Sequence, residues 1–268
     1  MNPVKAKIGI AVITCNRPDL FSQCISSIPS ANTIIVVNDG KEYSSDIYTS
    51  EIKAIIQHKN NMGVAVSKND ALKYLMNDGC DRLFLCEDDV KVKRQDIYDA
   101  YISTAESSGL HHLNFAYHGP ANKDDIGRPK ELLRVKFGNN VFLSFHYHLT
   151  GAFSYYSRSV IEKVGLMDER FLNAYDHLDH TLQIIKAKLH PPFGWFADIA
   201  DSHLFIEDLD ADLSRSVIRQ KKFQFRLRYK LYSYLFKRKN GFTAENYPRA
   251  TESEFFKFLT QYTNYKLK

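Results

Sequence analysis

The sequence predicts an α/β protein: a sheet, parallel through its first half, with helices packed on both faces. Three observations lead there. Strand-sized apolar runs alternate with helical segments between residues 8 and 93, the pattern of crossover-connected parallel strands. Three of those strands end in polar loops, "TCNRPD", "VVNDGK" and "LCEDDV", and sheets of this kind bind ligands beyond the C-terminal ends of their strands. The chain has 268 residues, 44% of them hydrophobic and 25% charged, a composition that supports a sizeable globular core.

The elements follow in order. A strand at Ile8–Thr14 leads to a helix from Pro18 ("PDLFSQCISSI"), with proline where the first turn tolerates a missing N–H. A strand at Thr33–Asn38 ends in "NDG", and a strand at Ile52–Gln57 runs through "HKNNMG" into a helix at about 64–77. Arg82–Cys86 follows, its Leu83, Phe84 and Leu85 too continuous for a half-exposed strand. Glu87, Asp88 and Asp89 stand at its end. Adjacent carboxylates raise one another's pKa unless a cation or several donors hold them ionised.

The second half is less regular. We expect a helix near 95–107, strands near 112–118, 132–137 and 141–148, and a short strand at 152–156 entering a helix at 157–164. "GLMDERFLNAYDHLDHTLQIIKAKL" is a loop and then a helix whose first turn carries Asp176, His177, Asp179 and His180. No apolar run approaches the ~20 residues that span a bilayer, and the first residues lack the layout of a secretion signal. Cys15, Cys24, Cys80 and Cys86 form no Cys-x-x-Cys pair and read as reduced thiols of a cytoplasmic protein.

Charge is unevenly placed. Net charge is +5, yet residues 217–239 hold nine Lys or Arg and no acid, so the rest of the chain sums to −4. On a helical wheel Arg219, Lys222, Arg226, Lys230 and Lys237 form a basic stripe beside an apolar one of Ile218, Phe225, Tyr229, Tyr232 and Phe236. Three roles fit: packing with a solvated basic face, contact with an anionic membrane at its inner face, or tracking of a nucleic-acid or acidic-polysaccharide acceptor.

The order of motifs resembles the inverting family 2 glycosyltransferases of the GT-A fold over residues 8–205. "ITCNRPDLFSQCISSI" is similar to the family's opening T-x-N-R strand and turn, and "VVNDG" to its second strand end. "NNMGVAVSKN" matches N-x-G-x-x-x-A-R-N, with Ser67 in place of Ala and Lys68 keeping the charge of Arg. "CEDDV" stands at the D-x-D, "LTGAFSYY" looks like the acceptor-side floor, and "GLMDERF…YDHLDHTLQI" resembles G-x-x-D-x-x-F…E-D-x-D. The resemblance implies a GT-A, Rossmann-like mixed sheet with helices on both faces. A C-terminal helical segment follows, giving a catalytic domain over 1–210, divided at 110/111, and a basic, aromatic extension over 211–268.

Residue roles follow from the same resemblance. Thr14, Asn16, Arg17, Asp39, Asn61, Gly63, Lys68, Asn69, Glu87 and Asp88 would bind the nucleotide-sugar, with UDP the commonest nucleotide of the family. Asp89, with Glu87 and His203, would hold Mn2+ or Mg2+, and Gly151 and Asp179 would face the glycan acceptor, free or lipid-linked. His146 and His148 alternate on a strand that could border the acceptor. Laying "YDHLDH" on the E-D pair puts Asp176 and His177 at the position of the base. Either can serve, since imidazole titrates near working pH. The implied activity is metal-dependent inverting sugar transfer to a surface glycan. Glycosylation of modified DNA and a degenerate nucleotide- or glycan-binding module are the alternatives.

Overall fold

The computed structural model describes residues 6–211, 214–215, 222–247 and 249–266. Its centre is a six-stranded mixed sheet of β1 (Ile8–Thr14), β2 (Thr33–Asn38), β3 (Ile52–Gln57), β4 (Arg82–Glu87), β6 (His112–Asn114) and β9 (Phe153–Ser157). The order is β3-β2-β1-β4-β9-β6, with the first four parallel and β9 antiparallel to both neighbours. β7 (Leu133–Phe137), β8 (Val141–His146) and β10 (Phe196–Ile199) make a second sheet, and β5 (Val90–Val92) pairs with β11 (Ile206–Asp208).

The helices are α1 (Pro18–Ser27), α2 (Val64–Asn77), α3 (Ile97–Ser108), α4 (Arg158–Val164), α5 (Asp176–Lys186), α6 (Lys222–Asn240) and α7 (Glu252–Tyr262). The central strands are apolar throughout because both sheet faces are covered. Ile10, Val12, Val36 and Phe84 pack towards α1 and α3, while Ala11, Ile13, Val37 and Leu85 pack towards α2. Phe84 anchors the first face, with Tyr98, Tyr101, Phe153 and Tyr155 around it at 4.9 to 6.2 Å.

Four elements were not foreseen: β5, β10, β11 and α7. The first three are only three or four residues long, too short for a periodicity to register. α7 did announce itself, because Thr251 and Glu254 form a reciprocal capping box. Its Phe255 stacks on Trp195 at 4.2 Å and meets Phe145 edge-on at 4.7 Å. The strand expected at 112–118 stops at Asn114. Beyond it the buried Asp198 carboxylate takes the Ala116 N–H at 2.8 Å and pulls the chain out of the sheet.

α6 does not stand apart from the domain. Tyr232 and Phe236 are buried on Phe171 and Tyr175, and Lys239 Nζ reaches Asp179 at 2.6 Å and Asp168 at 2.8 Å. Of the expected apolar stripe, Tyr232 and Phe236 therefore form the packing face, while Tyr229 is exposed. Ile218 and Arg219, and the side chains of Lys222 and Phe225, lie outside the described residues.

Burial also fixes a titration. His190 is fully enclosed; its Nε2 accepts from Ala197 N–H at 3.3 Å and its Nδ1 donates to the Pro191 carbonyl at 2.9 Å. Both nitrogens are committed to the neutral form, and burial depresses the pKa to about 4. A folded pKa below the unfolded value means that acidification favours the unfolded chain, which binds the proton first. His190 therefore contributes stability in full above about pH 6.5, falling by about 1.4 kcal/mol per pH unit down to about pH 4. His190→Gln lacks this titration, so the stability gap between wild type and variant should narrow as pH drops from 7 to 5. A gap constant with pH in urea unfolding would refute the assignment.

Candidate active site

The C-terminal ends of β1, β2 and β4 open onto a cavity of about 830 Å³. Register explains the convergence: β1 pairs in parallel with both β2 and β4, with Thr14 opposite Asn38 and Ile13 opposite Glu87, so the three strands end within a residue of one another. The acidic triplet is divided by the pleat. Asp88 is completely buried and accepts from Thr14 Oγ1 at 2.5 Å. Arg17 spans the pair, with Nη1 2.8 Å from Asp89 and Nη2 against Asp88. Burial and the Asp89 charge push Asp88 upward, against the pull of Arg17. Asp89 is held below the usual carboxylate range, burial notwithstanding, by His118 and Arg17.

Asp89 Oδ1 and His118 Nε2 face each other at 3.4 Å, and both are buried without a hydrogen-bond partner among the described residues. Asp208 Oδ1 lies 3.8 Å from the same nitrogen, while its other oxygen takes Gly119 N–H and Lys123 Nζ. Two facing ligand atoms, one carboxylate and one imidazole, with no further hydrogen bond among the described residues, fit a divalent cation that takes O and N donors. Among the described residues no group of three or more His, Cys, Asp or Glu could hold a metal unaided. The remaining ligands would come from a bound phosphate or water.

On the opposite wall Lys68 is fully buried, 2.8 Å from Glu87 and 3.4 Å from Asp176, and donates to the Gly151 carbonyl at 3.2 Å. Asp176 is depressed by the Lys68 charge and then by His177, which together overcome its burial. His177 borders the cavity with Nδ1 3.5 Å from Asp176 Oδ1. Gly151 is required here: a Cβ would come 2.9 Å from His177 Cγ.

Several expected contacts are reassigned. Lys68 does not face a phosphate, because its ammonium is enclosed between two carboxylates. Glu87 borders the cavity but is tied to Lys68 rather than placed beside Asp89 as a ligand. Asp88 lies behind the cavity wall. Asp39 reaches the cavity, yet its oxygens take His58 Nδ1 at 2.7 Å and the N–H groups of Met62 and Gly63 at 2.6 and 2.8 Å. It shapes the turn in which Gly63 has φ +93°, with the Leu172 carbonyl filling the place of a side chain. Asn69 is buried on Met167 and Glu169, and Asp179 on Lys239 and Asn240, so neither touches the cavity. His203 packs edge-on to Tyr117 at 5.5 Å. The histidine at Asp89 is Tyr117's neighbour, His118. His146 is buried on Ser144, and neither it nor His148 borders the cavity.

Thr14, Asn16, Arg17, Asn61, Asp89, Gly151, Asp176 and His177 do border it. Asn16 adopts φ +54° and accepts from Lys41 N–H, and Asn61 donates to the Asp39 carbonyl. His118 was missed, although "AYHGP" at a strand end carries the signal of a ligand beside a turn. Tyr175, Arg228, Tyr229 and Tyr232 complete the far wall, and no local motif marks them.

No protein-family model and no curated protein matches this chain. Solved structures do. The mannosyltransferase PcManGT from Pyrobaculum calidifontis, in complex with GDP-Man and Mn2+, superposes with a TM-score of 0.58 at 12% identity, covering 96% of this chain and 69% of its own. GalNAc-T7, with UDP, GalNAc and Mn2+, gives 0.50 at 8% identity over 96% of this chain and 55% of its own. The chain has the GT-A glycosyltransferase fold.

Lys68 generates a structural test. Lys68→Met leaves Glu87 and the enclosed Asp176 without a counter-charge, and breaking a buried pair from one side costs about 3–5 kcal/mol. Urea unfolding should show that loss, and adding Asp176→Asn should recover part of it. A single variant as stable as wild type would contradict the pairing.

Proposed function

We propose that this protein is a metal-dependent inverting glycosyltransferase, moving a sugar from a nucleotide-sugar, with UDP as the nucleotide, to a hydroxyl of a glycan. The observation that carries the reading is the facing pair Asp89 Oδ1 and His118 Nε2, buried at the end of β4 with no further hydrogen bond among the described residues. They border the cavity at the strand ends of a GT-A fold whose solved neighbours are complexes with Mn2+. Mn2+ or Mg2+ held by Asp89 and His118 would neutralise the charge that develops on the departing nucleoside diphosphate.

The protein's own groups then divide the work. Asn16, Asn61 and the Asp39 turn border the end of the cavity suited to the nucleoside. His177 takes the acceptor proton. Asp176 is poorly placed for that task, being buried and held ionised by Lys68. It instead stands 3.5 Å from His177 Nδ1, where a fixed negative charge favours the imidazolium that forms. Gly151 leaves the room that the ring occupies. Arg17 favours a second reading: its guanidinium already serves both Asp88 and Asp89, as it would in a nucleotide- or glycan-binding module without turnover.

The acceptor is best pictured at an anionic surface, as a lipid-linked glycan. Leu227, Leu231 and Tyr234 form an exposed stripe on the outer side of α6, beside Arg226, Lys230 and Lys237, a combination that lies in a lipid headgroup layer. No helix among the described residues is long and apolar enough to cross a membrane.

A panel of nucleotide-sugars, assayed for hydrolysis and transfer with and without Mn2+, tests the central reading. Asp89→Ala and His118→Ala should each abolish metal-dependent turnover and donor binding; full activity of either variant, or of the wild type in chelator, would sink it. His177→Ala should lower kcat by about 10²–10⁴-fold with little effect on donor affinity. The same loss in Asp176→Asn but not in His177→Ala would exchange the two roles. For the membrane, Arg226, Lys230 and Lys237 changed together to Gln should weaken binding to anionic liposomes by about 1 kcal/mol per charge. Unchanged liposome binding would return α6 to packing alone, and a salt-sensitive loss of DNA binding instead would favour a nucleic-acid acceptor.

A further inference from the structure

Two arginines border the cavity, and their situations differ. Arg17 is mostly buried and bound to Asp88 and Asp89. Arg228, exposed on α6, forms no ion pair or hydrogen bond with a described residue. The other full cation at the site, Lys68, sits behind the wall between Glu87 and Asp176. Among the described residues that border the cavity, Arg228 is thus the cation left to meet a ligand.

Its surroundings narrow the ligand. Tyr175, Tyr229 and Tyr232 border the cavity with it, and the Tyr175 and Tyr229 rings lie 5.2 Å apart. Both of those hydroxyls donate to Glu245 Oε1, at 2.8 and 3.1 Å, which holds the rings in place and occupies the nearby carboxylate. A guanidinium in this position binds carboxylate or phosphate through two parallel N–H groups. Tyr175 immediately precedes Asp176 and His177, so this wall adjoins the proposed base rather than the Asp89–His118 pair.

We propose that Arg228 binds an anionic group, carboxylate or phosphate, on the saccharide acceptor, so that the enzyme extends an acidic glycan. The inference rests on the transferase reading for the word acceptor, but not for the binding itself. It can be tested apart from turnover. Methyl β-D-glucuronide, glucose 6-phosphate and methyl β-D-glucoside are titrated by NMR into wild type, Arg228→Ala and Arg228→Lys, with UDP titrated in parallel and thermal midpoints as the folding control.

At least one acidic sugar should bind the wild type more tightly than the glucoside. Arg228→Ala should weaken that binding by about ten- to hundredfold, Arg228→Lys should restore part of it, and the affinity for UDP should not move. Equal binding of the acids by wild type and Arg228→Ala overturns the proposal. So does a loss confined to UDP, or failure of both acids to outbind the glucoside. Absence of donor hydrolysis by the wild type with any metal would remove the transferase reading and leave this result standing on its own.

Discussion

The buried ammonium of Lys68 joins the halves of this molecule. It rises from α2, meets Glu87 at the end of β4, and holds Asp176 at the first turn of α5. A lone ammonium or carboxylate would be costly at that depth, so none of the three can occupy its place without the others. The position of α5 relative to the central sheet, and with it the direction of His177, is therefore set by charge balance as much as by apolar packing. Gly151 lies at the same junction, its carbonyl accepting a hydrogen bond from Lys68 and its missing side chain leaving space for the His177 ring.

The same balance sorts the acids of the cavity. Arg17 ties Asp88 and Asp89 to the β1 turn, and Asp39 is satisfied by His58 and two backbone N–H groups. Among the described residues at the cavity, the Asp89 and His118 atoms face each other without a further hydrogen bond on one side, and Arg228 stands on the other. A cleft whose own charges are nearly all satisfied keeps its shape without ligand. Its few unmatched groups then mark where a cation and an anion would be received.

Much of the first half was legible because its signals are local. The boundaries of β1, β2 and β3 agree with their apolar runs, and the loops at the ends of β1, β2 and β4 do form one cavity edge. The candidates Thr14, Asn16, Arg17, Asn61, Asp89, Gly151, Asp176 and His177 all border it. Lys68 and Asn69 were singled out for good reason but given the wrong partners, since a motif specifies a residue type and not the direction of its side chain. His203 was taken as a metal ligand from the family resemblance, and His118 was not singled out. The loop after β6 turns His118 towards Asp89, and the 202–204 turn lays His203 on Tyr117.

The sequence by itself determined the α/β class, the mixed arrangement around a parallel core, the strand ends that carry polar groups, and the amphipathic character of α6. These depend on periodicity and on residues a few positions apart, where the chain's own geometry dictates what is near what. Only the tertiary structure decided which charges neutralise one another across 72 and 108 residues, as Arg17 does with Asp89 and Lys68 with Asp176. It also turned Tyr232 and Phe236 of α6 inward, so that Arg228 became a wall of the cleft. Such pairings are fixed by the cost of leaving a buried charge or an apolar face uncovered, and that cost is incurred only once the whole chain has closed around them.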